Sequence, residues 1–306
     1  MPLDSQMLGL LQAIRQAGLP EIGSVPATVL RALLGGGATV ATPVRSVTDT
    51  SIPGPAGGIA VRIYRPFDAT AGLIVYCHGG GWTVGDLDSH DGVVRLLANL
   101  TGCTIVSVDY RLAPEHLFPS AVEDAWAAAK WADRERKALT GRPRAPLILM
   151  GDSAGANLAA VVSILARDSG GPEIALQVLI YPSTEGDLDS DGMRRFEPPF
   201  MSRDEIAWFY DQYIPMHRRG DFRFAPGKAP DLSRLPPAVI VTAEYDLLAE
   251  EGLLYGRKLL AAGTDVTPLH YGGVIHGFMS MDPSLEVSRK AITDVVERIA
   301  AVTSAG

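Results

Sequence analysis

The sequence predicts an α/β fold with a mostly parallel central sheet. Short apolar runs alternate with helical patterns along most of the 306 residues. Several of the runs are apolar on both faces, as in a sheet that is covered on two sides. Such alternation is typical of parallel strands that are joined by helices. The runs that we interpret as strands are 59–64, 73–77, 104–108, 147–150, 178–181, 238–242 and 266–270.

Helical patterns lie between and after these runs. The C-terminal helix is predicted to start at Asp282-Pro283, because a capping residue followed by proline is typical of a first turn. Ile292, Val295 and Ile299 then share one apolar face of this helix. The other helices of the core are predicted at about 88–101, 120–139, 154–168 and 247–262.

Two regions interrupt the alternation and predict a helical cap. Residues 1–40 contain two helical patterns without a strand, and the second, near 24–34, ends at the three glycines 35–37. The other region, about 183–229, holds acidic turns and one aromatic helix, "MSRDEIAWFYDQYI". We expect these helices to cover the sheet edge where ligands bind and to close it from water. The predicted division is cap 1–40, core 41–184, cap insertion 185–225 and core 226–306.

Composition and charge exclude several classes of function. Hydrophobic residues make up 47% of the chain and charged residues 20%, which indicates a folded domain with a large core. The formal net charge is −8. The densest basic clusters are only the pairs Arg142/Arg144 and Arg218/Arg219, so we expect no nucleic-acid partner.

The sequence also predicts a cytoplasmic protein with no membrane span. No apolar run reaches the ~18 residues that a membrane span needs, and the N-terminus lacks the basic start of a signal peptide. The two cysteines, Cys77 and Cys103, are too few for a disulfide framework. Two thiols beside or within apolar runs are typical of buried residues in a reducing compartment.

The segment "LILMGDSAGANLA" predicts a nucleophilic serine. It contains G-x-S-x-G at 151–155, preceded by an apolar strand pattern and followed by a helical one. This strand–turn–helix context is that of a nucleophile elbow, which presents Ser153 at a helix N-terminus where positive partial charge favours an anion. The alternative is an ordinary serine cap of a helix. We interpret Asp152 as an anchor of the elbow rather than as a reacting group.

A nucleophilic serine needs a histidine base and an orienting carboxylate. In enzymes with a nucleophile elbow both follow the serine in the chain, which leaves His217, His270 and His276 among the six histidines. His217 lies in the cap region and His270 inside a strand pattern, where it would be fixed. His276 follows that strand in a glycine-flanked loop, "GGVIHGF", and is the predicted base.

The predicted carboxylate is Asp246. The strand pattern "AVIVTAEYDLL" ends in two acidic residues, Glu244 and Asp246. Asp246 lies further out on the loop and is preferred, with Glu244 as the fallback. Asp246 could also cap the helix that begins near Leu247.

The segment "YCHGGGWTVGD" predicts an oxyanion hole. Acyl transfer develops negative charge on a carbonyl oxygen, which backbone N–H groups stabilise by several kcal/mol. One such donor comes from the residue after the nucleophile, here Ala154, and others come from an HGGG-type loop, here residues 78–81 directly after a strand pattern. A loose surface loop or a phosphate-binding loop are the alternatives. The second lacks its lysine, since none follows before residue 130.

Taken together, these segments resemble the hormone-sensitive-lipase-like esterases, the HGGG-type (bacterial family IV) branch of the α/β-hydrolases. The resemblance covers nearly the whole chain. It depends on five segments in the order of the family: "HGGGW" (78–82), "DYRLAPEHLFP" (109–119), "GDSAGANLA" (151–159), "AEYDLL" (243–248) and "HGF" (276–278).

The resemblance implies the α/β-hydrolase fold, with a mostly parallel sheet of about eight strands flanked by helices and a helical cap. The family usually carries a proline after the acid, whereas this chain has Leu247, a change that we expect to be harmless. The site residues implied are the triad Ser153, Asp246 and His276 and the oxyanion donors Gly80, Gly81 and Ala154.

Further residues are candidates for the surroundings of the site. Aromatic side chains could line a substrate pocket, although plain packing is the default interpretation of aromatics at helical spacing. Asp109, Arg111 and Glu115 are candidates to brace the glycine loop, with surface ion pairs as the alternative. The predicted pocket residues are Trp82, Phe200, Trp208 and Phe209.

The sequence therefore predicts a serine carboxylesterase that hydrolyses short- to medium-chain esters through an acyl-enzyme. The acyl length is implied by the family resemblance. An amide or lactone hydrolase with the same triad is the first alternative, and a non-catalytic small-molecule receptor is the second. We expect an ester and water as the only reactants and no cofactor or metal, since metal motifs such as H-E-x-x-H are absent from the sequence. A homodimer is expected only by family analogy.

Overall fold

A computed structural model describes residues 2–34, 42–68, 71–195, 197–281 and 285–304. Within these ranges the chain forms one eight-stranded sheet with helices on both faces. The strands run in the order β1-β2-β4-β3-β5-β6-β7-β8 across the sheet. The strands are β1 (Ser46–Gly54), β2 (Gly57–Arg65), β3 (Leu73–Cys77), β4 (Thr104–Asp109), β5 (Leu147–Asp152), β6 (Leu176–Ile180), β7 (Ala238–Tyr245) and β8 (Val266–Ile275).

The helices follow the predicted alternation, with short additions. Two 3₁₀ turns, Met216–Arg218 and Pro226–Lys228, lie after the aromatic helix. The α-helices of the described ranges are α1 (Ser5–Gln16), α2 (Ala27–Leu34), α3 (Asp91–Thr101), α4 (Ser120–Arg134), α5 (Arg136–Thr140), α6 (Ala154–Asp168), α7 (Asp191–Arg194), α8 (Arg203–Tyr213), α9 (Ala249–Ala261), α10 (Phe278–Met281) and α11 (Glu286–Thr303).

The sheet is parallel from β4 to β8, whereas β1 and β2 pair antiparallel at one edge. Strands β3, β5 and β6 are buried at every position. Alternate side chains of these strands enter two cores, one under α4, α6 and α9 and the other under α3 and α11. This two-sided burial explains why their sequences are continuously apolar. The predicted mostly parallel sheet is confirmed.

Several predicted boundaries of helices and strands differ from those in the structure. Strand β1 was not predicted, because it is an edge strand whose polar residues are mostly exposed and it contains Pro53. The helix predicted at 120–139 is divided at Glu135 into α4 and α5. The helix predicted from 88 begins at Asp91. The helix end predicted at 35–37 and the start predicted at Asp282-Pro283 lie outside the described residues.

The two predicted cap regions pack differently. Helix α1 buries Met7 and Leu11 in the core beside β8, and the Asp4 N–H donates to the Gly273 carbonyl. Helix α2 instead packs Leu30 against Phe209 of α8, above the loop that follows β3. Thus α2 and α8 pack together beside the loop that follows β3, whereas α1 packs beside β8.

The insertion is tied to the core by Glu251. This buried side chain of α9 accepts hydrogen bonds from the N–H groups of Thr184 (2.7 Å) and Glu185 (3.4 Å), where the insertion leaves the core. Burial raises the pKa of Glu251 to about 7, although these hydrogen bonds oppose the shift.

This raised pKa predicts that the protein loses stability as the pH rises from about 4.5 to about 7. In that window the carboxyl ionises in the unfolded chain, where its pKa is near the ordinary 4.5, but stays protonated in the folded one. We expect Glu251→Gln to reduce this loss in Tm, measured calorimetrically between about pH 5 and pH 8. The exposed Glu250→Gln is the control, and equal pH dependence in Glu251→Gln and the unmodified protein would contradict the account.

Candidate active site

Ser153 lies in a sharp turn between β5 and α6. Its backbone has φ 54° and ψ −118°, a region that a non-glycine residue occupies only at an energetic cost. The turn is held because the Ser153 N–H donates to the Ile180 carbonyl at 2.8 Å. A Cβ on Gly155 would collide with the Cys77 carbonyl, so this position needs glycine. The geometry is that of a nucleophile elbow.

The predicted triad residues are within hydrogen-bond distance of each other. His276 Nδ1 lies 2.8 Å from Asp246 Oδ2, and His276 Nε2 lies 2.9 Å from Ser153 Oγ. The carboxylate can only accept, so Nδ1 carries the proton and Nε2 accepts from the serine hydroxyl. The second oxygen of Asp246 accepts from the Leu248 N–H at 2.9 Å. Asp246 and His276 are both buried, which fixes the imidazole in one orientation.

The structure distinguishes Asp246 from the fallback residue. Glu244 accepts from the Gly273 N–H at 2.7 Å, whereas the carboxylate at His276 Nδ1 is that of Asp246. His270 lies inside β8, where its Nδ1 is 2.9 Å from the Thr242 hydroxyl. These placements leave one carboxylate beside the predicted base.

The glycine loop forms a turn beside Ser153. Gly80 has φ 113° and Gly81 has φ 57°, conformations that glycine adopts without strain. The Thr83 and Val84 N–H groups both donate to the Gly80 carbonyl, at 3.0 and 2.9 Å. Among the described residues the N–H groups of Gly80, Gly81 and Ala154 have no hydrogen-bond acceptor. Three donors are thus available near the nucleophile.

One cavity of about 260 Å³ contains these groups. Ser153 and His276 lie at its surface, and so do the three predicted oxyanion residues. Most of the remaining wall is apolar. Of the predicted pocket residues, Trp82, Phe200 and Phe209 line the cavity, whereas Trp208 does not. Trp208 lies one residue from Phe209 on α8, so its side chain points instead to a surface groove beside Gly23.

Asp152 anchors both the elbow and the glycine loop. Its carboxylate accepts from the Gly79 N–H (3.0 Å), the Tyr76 hydroxyl (2.7 Å) and the Ser280 hydroxyl (3.1 Å). His90 Nε2 faces the same carboxylate at 3.4 Å. This one side chain therefore joins the ends of β3 and β5 to α10.

Asp152 and His90 stabilise each other's charged forms. Burial alone would raise the pKa of Asp152, but the charge of His90 and the hydrogen bonds lower it to about 2. Burial opposes the charged imidazole of His90, yet the facing carboxylate raises its pKa above the ordinary 6.5. Burial and the charge of His90 lower the pKa of the adjacent His78 to about 4, so His78 is neutral.

The "DYRLAPEH" segment also lies around the glycine loop. The Tyr110 hydroxyl donates to the His78 carbonyl at 2.7 Å. Arg111 instead pairs with Asp124 of α4 at 2.8 Å, and Asp109 ends β4. Glu115 pairs with Arg31 of α2 at 2.7 Å.

Several residues of the site were not predicted from the sequence. His90, Ser280 and Tyr181 surround the anchor or the base, and the Tyr181 ring lies 4.7 Å from that of His276. None of them belongs to a local motif, because their partners lie on other elements. The proximity of "SHD" at 89–91 to the HGGG loop was the one available signal for His90.

Two kinds of feature are absent from the described residues. No helix in the described ranges combines the length and the apolarity that crossing a membrane requires. Within the same part of the chain no three His, Cys, Asp or Glu side chains come together as a metal site.

A family model described as the alpha/beta hydrolase fold matches residues 74–280, and the chain belongs to this family. Within it, the resemblance to the hormone-sensitive-lipase-like esterases is confirmed by the relatives that the chain matches.

The relatives are named as esterases. The chain is 45% identical to the carboxylic ester hydrolase LipN of Mycobacterium tuberculosis over 77% of its length, and it covers 65% of LipN. It is 34% identical to an arylesterase of Saccharolobus solfataricus, covering 91% of this chain and 93% of that protein. A solved structure of a hyperthermophilic esterase from the archaeon Pyrobaculum calidifontis superposes with a TM-score of 0.91 at 39% identity, covering 98% of this chain and 99% of that one.

We expect Asp152→Ala to destabilise the protein by about 3 kcal/mol, because it leaves several buried donors without an acceptor. Ser280→Ala removes one hydrogen bond from the same carboxylate and one with the Tyr181 hydroxyl, and should cost about 1–2 kcal/mol. Urea denaturation near pH 7.5 measures both free energies of unfolding. Equal losses for the two variants would show that Asp152 does not anchor the two loops.

Proposed function

We propose that this protein is a serine carboxylesterase that hydrolyses small carboxylic esters through an acyl-enzyme. The observation that carries the proposal is the continuous chain of hydrogen bonds from Asp246 through His276 to Ser153, at 2.8 and 2.9 Å, open to a cavity. The esterase names of the relatives support the same activity.

In the first step Ser153 Oγ attacks the ester carbonyl carbon while its proton passes to His276 Nε2. Asp246 accepts the hydrogen bond of Nδ1–H and stabilises the imidazolium that forms. The imidazolium then donates its proton to the leaving alcohol oxygen as the carbon–oxygen bond breaks. Water next attacks the acyl-enzyme, giving its proton to His276, which returns it to Ser153 as the acid leaves.

The oxyanion of each tetrahedral intermediate would be held by the N–H groups of Gly80, Gly81 and Ala154. Their lack of other acceptors among the described residues supports this role. Ala154 is also the first residue of α6, and an N-terminal N–H of a helix favours negative charge. Losing one such donor typically costs about 10²–10³-fold in kcat.

The cavity supports the substrate class that we propose. Its volume of about 260 Å³ lies below the ~300–1,000 Å³ of sites for drug-sized ligands. The wall provided by Trp82, Phe200 and Phe209 is apolar. We therefore propose short- to medium-chain esters as substrates. Helices α2 and α8, whose Leu34 and Phe209 line the cavity, would act as the cap that excludes water.

The cytoplasmic location and the homodimer stay predictions. The buried, unpaired thiols of Cys77 and Cys103 support a reducing compartment. The dimer has only the family analogy in its favour.

We expect the protein to hydrolyse p-nitrophenyl acetate and butyrate with a burst of p-nitrophenol, and to lose activity on the palmitate because its chain exceeds the cavity. Ser153→Ala should be inactive with an unchanged circular dichroism spectrum. Binding of esters without turnover would favour the receptor, and turnover of anilides alone would favour an amide hydrolase.

A second pair of variants tests the assignment of the acid. Asp246→Asn leaves the imidazole in the wrong tautomer and should lower kcat by roughly 10⁴-fold. Glu244→Gln is the matched control, since its carboxylate accepts from the Gly273 N–H, and should keep kcat within about threefold. Steady-state kinetics on p-nitrophenyl butyrate measure both, and the reverse ranking would reassign the acid to Glu244.

A further inference from the structure

Arg31 of α2 binds two loops of the core that surround the glycine turn. Its Nε donates to the Thr83 carbonyl at 2.6 Å, and its Nη2 donates to the Ala113 carbonyl. The Glu115 carboxylate accepts from Nη1 and Nη2 at 2.9 and 2.7 Å. One guanidinium thus joins a helix outside the family-matched residues 74–280 to both loops.

The Thr83 contact acts on the glycine turn itself. The Thr83 N–H donates to the Gly80 carbonyl and its hydroxyl to the Gly81 carbonyl, each at 3.0 Å. Because a peptide unit is planar, the hydrogen bond to the Gly80 carbonyl also fixes the direction of the Gly81 N–H in the same unit. A side chain that holds Thr83 therefore helps to orient an oxyanion donor.

The Ala113 contact acts on the other side of the turn. The Ala113 N–H donates to the Trp82 carbonyl at 2.8 Å, so Ala113 braces the residue that follows the glycines. Arg31 holds the carbonyl of the same residue. The guanidinium of Arg31 therefore binds the carbonyl of Thr83, at the end of the turn, and that of Ala113, which is hydrogen-bonded to the turn.

We propose that Arg31 is a positioning residue of the oxyanion hole, through which the docking of α2 fixes the orientation of the Gly81 N–H. The inference depends on the acyl-transfer function proposed above. A guanidinium suits this task because three separate nitrogens of its planar fork reach two carbonyls and a carboxylate at once, whereas a lysine has only one nitrogen.

The proposed role predicts that replacing Arg31 affects catalysis more than it affects stability. The side chain of Arg31 is 26% exposed and that of Glu115 is 43% exposed, so their ion pair contributes little to folding. In contrast, small displacements of an oxyanion donor weaken the stabilisation of the transition state while leaving substrate binding nearly unchanged. A loss in kcat at a temperature where the variant stays folded is the expected signature.

Arg31→Gln tests the proposal. We expect kcat for p-nitrophenyl acetate to fall about tenfold, with KM within about threefold and Tm lowered no more than in the control variant described next. Arg136→Gln is the matched control, because Arg136 also binds two backbone carbonyls, of Ala145 and Glu173, and one carboxylate, of Asp133. That cluster precedes β5 at the opposite end of the strand from Ser153, so kcat should not change.

Arg31→Lys keeps the charge but cannot hold both carbonyls, so its kcat should fall as well; it decides the question if the glutamine variant does not fold. Reaction of Ser153 with a p-nitrophenyl phosphonate should slow in parallel, since it uses the same N–H donors. The proposal is overturned if kcat stays within twofold of the unmodified protein, or if only KM changes. Failure of the proposed function would appear differently, as no Ser153-dependent turnover in the unmodified protein.

Discussion

The site depends on the close approach of two neighbouring strands, β3 and β5, at their carboxyl ends. The strands pair in parallel with Cys77 opposite Gly151, and the turn after β5 passes the Cys77 and His78 carbonyls without room for a Cβ on Gly155. This contact places the nucleophile beside the glycine turn. Every later feature of the site, from the base to the oxyanion donors, is arranged around that junction.

Two groups of charged or polar side chains with different roles lie at this junction. In the proposed mechanism the triad transfers a proton along the hydrogen bond that joins Ser153 and His276. The neighbouring pair of Asp152 and His90, which also borders the cavity, joins the ends of β3 and β5. The separation lets a rigid frame support a reactive centre. Arg31 adds a third support from the cap side.

The sequence predicts those residues whose role is marked by the residues next to them in the chain. Ser153 and His276 each follow a strand in a glycine-flanked turn, and both lie where that reasoning puts them. Residues whose partners are distant were not found, since no local pattern marks His90 or Arg31. The face of a helix is also hard to predict: Phe209 reaches the cavity and adjacent Trp208 does not. Exposed β1 was missed because it lacks the apolar pattern of the buried strands.

The most direct measurement of the central claim is active-site titration with p-nitrophenyl methylphosphonate, followed by peptide mapping of the product by mass spectrometry. The account predicts one equivalent of p-nitrophenol per chain and one phosphonylated residue, Ser153. It also predicts that His276→Ala reacts at least 100-fold more slowly, because the hydroxyl then has no base. Labelling at another residue, or labelling of Ser153 that does not depend on His276, would contradict it.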